Sequence, residues 1–270
     1  MIIRRWSWSS GEIALLRATI FDLGETLIHL TSSWEQIREG RIKAIYEALR
    51  ERDIALGFAD LKREYLALHE EESDYAARTL EEIEIEKSLV RLLDRLQVET
   101  RQRPAMADLV KRSFEYEINS WTLFPGVHEM LQQIRALGLK IGLLSNARSD
   151  WAVREIVDRM DLTRHFDAIL TSAAVGFRKP RPEPFQQMLK LLDIDASEAV
   201  MIGNSMEADM IGARSFGLRT IHTVFGEETE EAKVDPDITV SRVADIIPAV
   251  KRLATQSQRV RKFRPSRASC

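Results

Sequence analysis

Residues 18–27 read ATIFDLGETL and combine a strand pattern with a charged turn. The first four residues are apolar or β-branched, which favours a buried strand, and Asp22 follows where the strand ends and a tight turn begins. Open parallel sheets gather their ligands at the carboxyl ends of their strands. Asp22 is therefore a candidate nucleophile or metal ligand.

Three later segments carry polar or charged residues at a predicted strand end or in the loop that follows. They are IGLLSNA at 141–147, GFRKPRP at 176–182 and VMIGNSMEAD at 200–209. Taken singly, each has an ordinary structural explanation: Ser145 caps a helix, Lys179 lies in a proline-rich loop, and Asp209 satisfies a helix N-terminus. Four such segments in this order, spread over most of residues 17–225, are improbable by chance.

Together the four segments resemble the motifs of the haloacid dehalogenase-like (HAD) hydrolase superfamily, and in particular its phosphatase-like branch. The resemblance implies that Asp22 forms an aspartyl-phosphate, that Ser145 donates a hydrogen bond to the phosphoryl group and that Lys179 neutralises charge. It also implies that Thr26 and Asn146 contact the substrate. The implied cofactor is Mg²⁺, and its implied ligands are Asp22, the Gly24 carbonyl, Asn204 and Asp209.

Two positions depart from the family pattern. The first motif is usually Asp-x-Asp-x-Thr, and its second acid protonates the leaving group and then activates water; Gly24 stands there in this chain. The acid–base step that is lost is typically worth about 10²–10⁴ in rate. The fourth motif usually begins Gly-Asp, but Asn204 replaces the acid, and an amide offers a hard cation an oxygen without charge. Glu25 is the adjacent substitute, but neighbouring residues point in different directions, so a structural or cap-facing role is favoured for it.

These departures leave three functions open. The favoured hypothesis is a phosphomonoesterase of reduced activity that acts on a small phosphorylated or anionic metabolite. A 2-haloacid dehalogenase-like enzyme needs neither the missing acid nor a metal, but that branch usually has an aromatic residue at the position of Gly24 and Asn at that of Met206. A non-catalytic binding or regulatory protein is the third hypothesis. Phosphomutase chemistry is disfavoured because it needs an acid at position 24.

Composition excludes several other classes. With 44% hydrophobic residues and a formal charge of −3, the 270-residue chain is expected to be globular and to lack nucleic-acid or membrane partners. Cys270 is the single cysteine, which excludes an internal disulfide framework and a cysteine-based zinc cluster. No apolar run approaches the roughly 20 residues that span a bilayer. We therefore expect a soluble, cytoplasmic protein, and the sequence leaves its oligomeric state open.

The order of elements predicts an α/β fold with an inserted helical domain. Apolar residues at helical spacing predict helices near 33–52, 58–76, 79–97 and 104–120. Beyond this block, helices alternate with short apolar strands, which predicts a Rossmann-like parallel sheet with helices on both faces. An all-helical insert after the first motif resembles the cap that, in such HAD members, closes over the nucleophile.

The predicted organisation has four parts. They are an N-terminal extension at 1–16, a HAD core at 17–32 and 121–256, a helical cap at 33–120 and a basic tail at 257–270. We expect the tail to be a solvated, disordered end. Trp34, Arg38, Arg41 and Tyr46 lie near the start of the cap and are candidates to face the cleft, although such residues more often pack or form solvated surface.

Overall fold

A computed structural model describes residues 15–225 and 235–262, with side chains as far as residue 255. In chain order the strands are β1 Ala18–Phe21, β2 Ile28–Leu30, β3 Trp121–Leu123, β4 Lys140–Ser145, β5 Ala168–Thr171, β6 Ala199–Gly203, β7 Arg219–Thr223 and β8 Ile238–Val240. Six of them form one parallel sheet in the order β5-β4-β1-β6-β7-β8. The predicted parallel sheet is confirmed.

Helices connect the strands of the sheet and also form the insert. They are α1 Trp34–Arg50, α2 Phe58–Thr79, α3 Ile85–Arg95, α4 Met106–Asn119, α5 Val127–Ala136, α6 Asp150–Arg159, α7 Ser172–Val175, α8 Pro182–Leu192, α9 Gly212–Phe216 and α10 Ile246–Lys262. Local signals set several ends. Ser33 and Gln36 form a capping box at the start of α1, Pro182 begins α8, and Gly217 at φ 94° ends α9.

Both faces of the sheet are buried against helices. Ile20 of β1 lies in an apolar cluster with Phe185 and Met188 of α8. The next residue, Phe21, lies in the larger cluster that includes α5, α6 and α10. Because successive strand residues point to opposite faces, β1 contributes to both clusters, as do β4 and β6. The predicted placement of helices on both faces is confirmed.

The insert consists of α1–α4, hereafter the cap helices, and a ribbon that the sequence did not predict. Strands β2 and β3 pair antiparallel, with Leu30 opposite Trp121, and carry the chain into and out of the cap helices. The predicted helix at 79–97 is wrong at its start, since α3 begins at Ile85. Leu80 ends α2 in the left-handed conformation at φ 56°, and the next residues run along the core instead.

Two buried acids tie the cap helices to the core. Glu82 accepts hydrogen bonds from Ser172 at 2.6 Å and from Arg178 at 3.0 Å. Glu72 of α2 is paired with Arg148, which follows β4. Unpaired carboxylates at such depth would be costly, so these contacts hold the cap helices against the carboxyl edge of the sheet.

Two boundaries differ from the predictions. The sequence also predicts a helix over 206–216, but the structure has a π-helical turn, Met206–Ile211, followed by α9. The expectation of disorder from residue 257 is wrong for 257–262, because α10 continues to Lys262. The rest of the predicted tail, nearly all of the N-terminal extension and residues 226–234 lie outside the described residues. No described helix combines the length and apolar character needed to cross a bilayer.

A histidine pair packs between α5 and the segment that precedes β5. Nδ1 of His128 lies 3.1 Å from Nε2 of His165, so one ring donates and the other accepts. Burial and then the neighbouring His128 lower the pKa of His165, with Arg164 and Arg135 acting in the same direction and Asp161 against it. The folded protein therefore keeps His165 neutral at pH values where the unfolded chain protonates it.

This pair predicts a loss of stability on acidification. The folded pKa of His165 lies below the unfolded value of about 6.5, so the unfolded state binds more protons once the pH falls below that value. We expect the melting temperature to fall more steeply for the wild type than for His165→Gln between about pH 8 and pH 5. Circular dichroism melts at matched ionic strength would measure both slopes, and equal slopes would contradict the prediction.

Candidate active site

Three neighbouring strands of the sheet bring predicted site residues to one edge. Asp22 follows β1, Ser145 ends β4 and Asn204 follows β6. The strands pair in parallel, so their carboxyl ends meet at the same edge. The backbone N–H of Asp22 donates to the carbonyl of Ile202 at 2.9 Å, which fixes the start of the turn against β6.

Lys179 joins the acids at this edge. Its ammonium donates to Asp22 Oδ1 at 2.7 Å, Asp209 Oδ1 at 2.6 Å and the Leu144 carbonyl at 2.7 Å. The side chain is only 1% exposed. Burial opposes its charge, but Asp209 and Asp22 outweigh burial and raise the pKa of Lys179 above its usual value. Lys179 is therefore a fixed cation with all three N–H groups bonded.

Asn146 holds the backbone of this lysine. Its Oδ1 accepts from the Lys179 N–H at 2.8 Å, and its Nδ2 donates to the Lys179 carbonyl at 3.0 Å. The reciprocal pair anchors the loop that carries Lys179 to the end of β4. Asn146 also lines the cavity described below, so the predicted contact with substrate remains a prediction. The sequence did not predict its bond to Lys179.

Asp22 is partly desolvated yet ionised near neutral pH. Burial raises the pKa of its carboxyl to about 6, while the adjacent Lys179 opposes this rise. Its side chain is 13% exposed, so one side reaches the cavity. A carboxylate with this environment is charged and accessible at neutral pH, as a nucleophile or a cation ligand must be.

Asp209 is more enclosed than Asp22. It is 1% exposed, and its second oxygen accepts from the Ser205 N–H at 3.0 Å. The carboxylate lies so close to Gly203 that a Cβ there would stand 2.3 Å from Oδ2, which only glycine avoids. Both oxygens are thus engaged, one by Lys179 and one by the backbone. Each oxygen keeps a second lone pair, and Asp209 lines the cavity, so it can still reach a cation there.

The oxygen donors at this edge can bind a hard cation, although they carry less negative charge than the usual family set. In the described part of the chain, no hydrogen bond reaches the Gly24 carbonyl or the Asn204 side chain, and both residues line the cavity beside Asp22. Carbonyl, amide and carboxylate oxygens are the ligands that Mg²⁺ prefers. Residues 15–225 and 235–262 contain no group of three or more His, Cys, Asp or Glu side chains suited to a metal. Asp22 and Asp209 would bring negative charge to the ion, whereas Asn204 would bring an uncharged oxygen.

Ser145 and Thr26 occupy different environments. Ser145 lines the cavity, and its hydroxyl has no hydrogen-bond partner within the described ranges. Thr26 is fully buried, its hydroxyl also lacks a partner there, and it does not line the cavity. The structure therefore brings Ser145 to the site but not Thr26, because the Thr26 side chain is enclosed by the protein interior.

An aromatic ring lies against Gly24, where the side chain of an acid would otherwise lie. A Cβ added to Gly24 would lie 3.3 Å from Cη2 of Trp121, the first residue of β3. Trp34 of α1 packs edge-on against Trp121 with ring centroids 6.0 Å apart. No sequence signal pointed to Trp121, since it reaches Gly24 only through the unpredicted ribbon.

Glu25 is held in its turn by backbone and side-chain hydrogen bonds. Its backbone is left-handed at φ 54°, and its N–H donates to the Ile28 carbonyl at 2.6 Å. Its carboxylate accepts from the Leu30 N–H at 3.3 Å while also lining the cavity. This bond agrees with the structural role that was favoured for Glu25 from the sequence.

A cavity of about 750 Å³ separates these core residues from the cap helices. Of the four cap residues considered from the sequence, Trp34, Arg38 and Arg41 line it, whereas Tyr46 packs against Phe58. Sequence reasoning missed many of the other lining residues, among them His69 and Arg148. Arg148 carries a weak signal, since it follows the second motif directly. On the core side the cavity meets the carboxylates of Asp22 and Asp209 together with the cations of Arg148, Arg178 and Lys179. On the cap side it meets Arg38 and Arg41 together with Glu117.

Comparison with known proteins agrees with this geometry. A family model described as haloacid dehalogenase-like hydrolase matches residues 16–217. The chain belongs to the haloacid dehalogenase-like hydrolase family. The match spans all four segments that carry the motifs, together with the cap helices.

Curated HAD relatives include phosphatases. A phosphoserine phosphatase from Thermus thermophilus is 30% identical over 146 residues, which are 54% of this chain and only 58% of that protein. A glyceraldehyde 3-phosphate phosphatase from Methanopyrus kandleri is 26% identical over 249 residues, 89% of this chain and 99% of that protein. A solved structure of a 2-haloacid dehalogenase from Pseudomonas syringae pv. tomato has a TM-score of 0.65 at 22% identity, covering 88% of this chain and 99% of that chain. The fold by itself does not separate phosphatase from dehalogenase chemistry.

Proposed function

We propose that this HAD member is a phosphomonoesterase that acts on a small phosphorylated metabolite through Asp22. The observation that carries the proposal is the ionised carboxylate of Asp22, held by Lys179 at one end of a cavity with cationic residues at the other. Such a cavity suits a phosphate dianion, whose charge is too high for an apolar cleft. The phosphatases among the relatives support the same class of substrate.

In the proposed reaction, an Asp22 oxygen forms a bond to phosphorus as the ester P–O bond breaks. The alcohol leaves with the bonding electrons and takes a proton from solvent, and water then cleaves the aspartyl-phosphate to release phosphate. Lys179 balances the charge of the carboxylate and of the transferred group, and Ser145 donates a hydrogen bond to a phosphoryl oxygen. Asp22, the Gly24 carbonyl, Asn204 and Asp209 would hold Mg²⁺, which neutralises phosphoryl charge when bound.

The missing acid sets the expected substrate dependence. No acid stands at position 24, and Glu25 is bonded to the backbone of Leu30. Loss of the general acid does not slow the departure of a leaving group that needs no proton, such as p-nitrophenolate. It does slow the departure of an alkoxide, which needs one. We therefore expect aryl phosphates to be hydrolysed much faster than alkyl phosphates.

One feature favours a second candidate, a 2-haloacid dehalogenase-like reaction. That branch usually carries an aromatic residue two positions after the nucleophile, and here the Trp121 ring lies against Gly24 from another strand. An aromatic wall beside the carboxylate suits displacement of halide from an apolar carbon, which needs no leaving-group acid. The cationic cap side still favours the phosphatase.

The test is a substrate panel with p-nitrophenyl phosphate, an alkyl phosphate and 2-chloropropionate, each with Mg²⁺ and with EDTA. We expect p-nitrophenol release that requires Mg²⁺ and is absent in Asp22→Asn. Halide release that survives EDTA would replace the phosphatase by the dehalogenase. Absence of both activities would favour the non-catalytic binding protein and overturn the proposal.

A further inference from the structure

Four arginines line the cavity, and three of them are already paired with acids. The pairs are Arg41 with Glu117, Arg148 with Glu72 and Arg178 with Glu82. The carboxylates of Glu72 and Glu82 are 2% and 1% exposed, so these pairs are part of the interior. Arg41 and Arg178 each have an acid of their own, whereas Arg148 shares Glu72 with Arg91. All three guanidinium groups are held in place before any ligand arrives.

Arg38 differs from the other three. It lies half-buried on α1, lines the cavity and has no hydrogen bond or ion pair with any residue of the described chain. The described acids that share the lining have other partners: Glu117 pairs with Arg41, Asp22 and Asp209 pair with Lys179, and Glu25 accepts from the Leu30 N–H. A half-buried guanidinium without a counter-charge is costly unless an anion from outside completes it.

His69 of α2 marks the same corner of the cavity. Its Nδ1 is buried without a hydrogen-bond partner, and its ring lines the cavity. Burial and then the charges of Arg148, Arg38 and Arg41 lower the pKa of His69, whereas Glu72 raises it. This part of the cavity therefore combines the unpaired guanidinium of Arg38 with an unsatisfied polar nitrogen, and both are features of an anion site.

The cavity has room for more than a phosphate group. Its volume of about 750 Å³ lies within the roughly 300–1,000 Å³ typical of sites for whole small molecules. Asp22, Ser145 and Lys179 line it from the core, and Arg38 and His69 line it from the cap helices. A ligand that fills the cavity therefore contacts the core residues with one end and the cap residues with the other.

We propose that the substrate carries a second anionic group, a carboxylate or a second phosphate, and that Arg38 binds this group while Asp22 receives the phosphoryl group. The inference rests on the proposed phosphatase for its first end. A planar guanidinium matches either anion with two parallel hydrogen bonds. Arg38 thereby selects substrates with two anionic groups over simple alcohol phosphates, and His69 adds a polar contact beside it.

The test compares matched substrates in the full-length protein with Mg²⁺. Glycerol 3-phosphate carries one anionic group, 3-phosphoglycerate adds a carboxylate, and propane-1,3-diol bisphosphate adds a phosphate. We expect Arg38→Met to lower kcat/KM for the last two by about 10- to 100-fold, the range for a charge-assisted hydrogen bond, and mainly through KM. Hydrolysis of glycerol 3-phosphate should change little, and Arg38→Lys should recover part of the loss.

Arg50→Met is the matched control, because Arg50 lies exposed on the same helix and does not line the cavity. It should leave all three substrates unchanged. An equal loss on every substrate in Arg38→Met, or no loss on any, would overturn the inference. A loss confined to 3-phosphoglycerate or to the bisphosphate would identify the anion as carboxylate or phosphate.

A binding measurement separates this inference from the proposed function. Calorimetry on Asp22→Asn should show tighter binding of 3-phosphoglycerate or the bisphosphate than of glycerol 3-phosphate, and Asp22→Asn with Arg38→Met should lose that preference. If no substrate is hydrolysed but the preference appears and depends on Arg38, the second-anion site stands and the phosphatase fails. If binding shows no preference, the second-anion site fails whatever the activity.

Discussion

Replacing Lys179 by methionine is expected to abolish turnover and to lower the free energy of unfolding by about 3–5 kcal/mol. Methionine fills a similar volume but removes the ammonium that donates to Asp22, Asp209 and the Leu144 carbonyl. Two buried carboxylates would then face each other without a cation. Turnover is lost because Asp22 becomes protonated and the phosphoryl charge is no longer balanced.

The loss of unfolding free energy in Lys179→Met is expected to depend on pH. In Lys179→Met, burial and mutual repulsion raise the folded pKa of one carboxyl above its unfolded value of about 3.9. The native variant then binds more protons than the unfolded chain, so its free energy of unfolding rises as the pH falls from neutral. Its deficit relative to the wild type is therefore largest near neutral pH and smaller at about pH 5.

Urea unfolding at both pH values, followed by circular dichroism, would measure this deficit. Lys190→Met is the matched control, since Lys190 is exposed on α8 and has no partner in the described part of the chain. The control should change stability little. A deficit in Lys179→Met that is small, or equal at the two pH values, would show that the lysine does not hold the two acids together.

Gly24→Asp combined with Trp121→Val is expected to raise alkyl phosphatase turnover by about 10² or more, the lower end of what a positioned acid–base group contributes. Gly24→Asp alone should recover only a small part of this gain. The reason is the indole ring, which lies 3.3 Å from the site of the new Cβ and leaves the carboxylate little room beside Asp22. Valine at position 121 opens that space and suits the strand.

Comparing the single and double variants separates the effect of the added acid from the effect of the added space. Trp121→Val alone should not raise turnover, because it opens the wall without adding an acid. The gain should be large for an alkyl phosphate and small for p-nitrophenyl phosphate, whose leaving group needs no proton. Equal gains in the single and double variants would mean that Trp121 is no obstacle, and no gain in either would argue against the proposed phosphatase.

Much of the fold and site follows from local sequence patterns. Apolar runs that end in Asp22, Ser145 and Asn204 predicted three strand ends, and the parallel pairing of β1, β4 and β6 placed them together. Helical spacing predicted the insert, but the ribbon of β2 and β3 escaped notice because each strand has three residues. The start of α3 was missed because the left-handed Leu80 interrupts a continuous helical pattern.

Sequence patterns alone were sufficient to predict the family, the parallel sheet, the cap helices and the edge at which Asp22 and Lys179 meet. These features depend on periodicity and on residues at strand ends, which are local properties of the chain. Three other features appear first in the folded protein. Trp121 fills the space beside Gly24, and Thr26 is enclosed. The Arg38 side chain lacks a partner in the described chain, whereas Arg148 has one. These features depend on which side chains meet across distant segments, and no periodic pattern encodes such contacts.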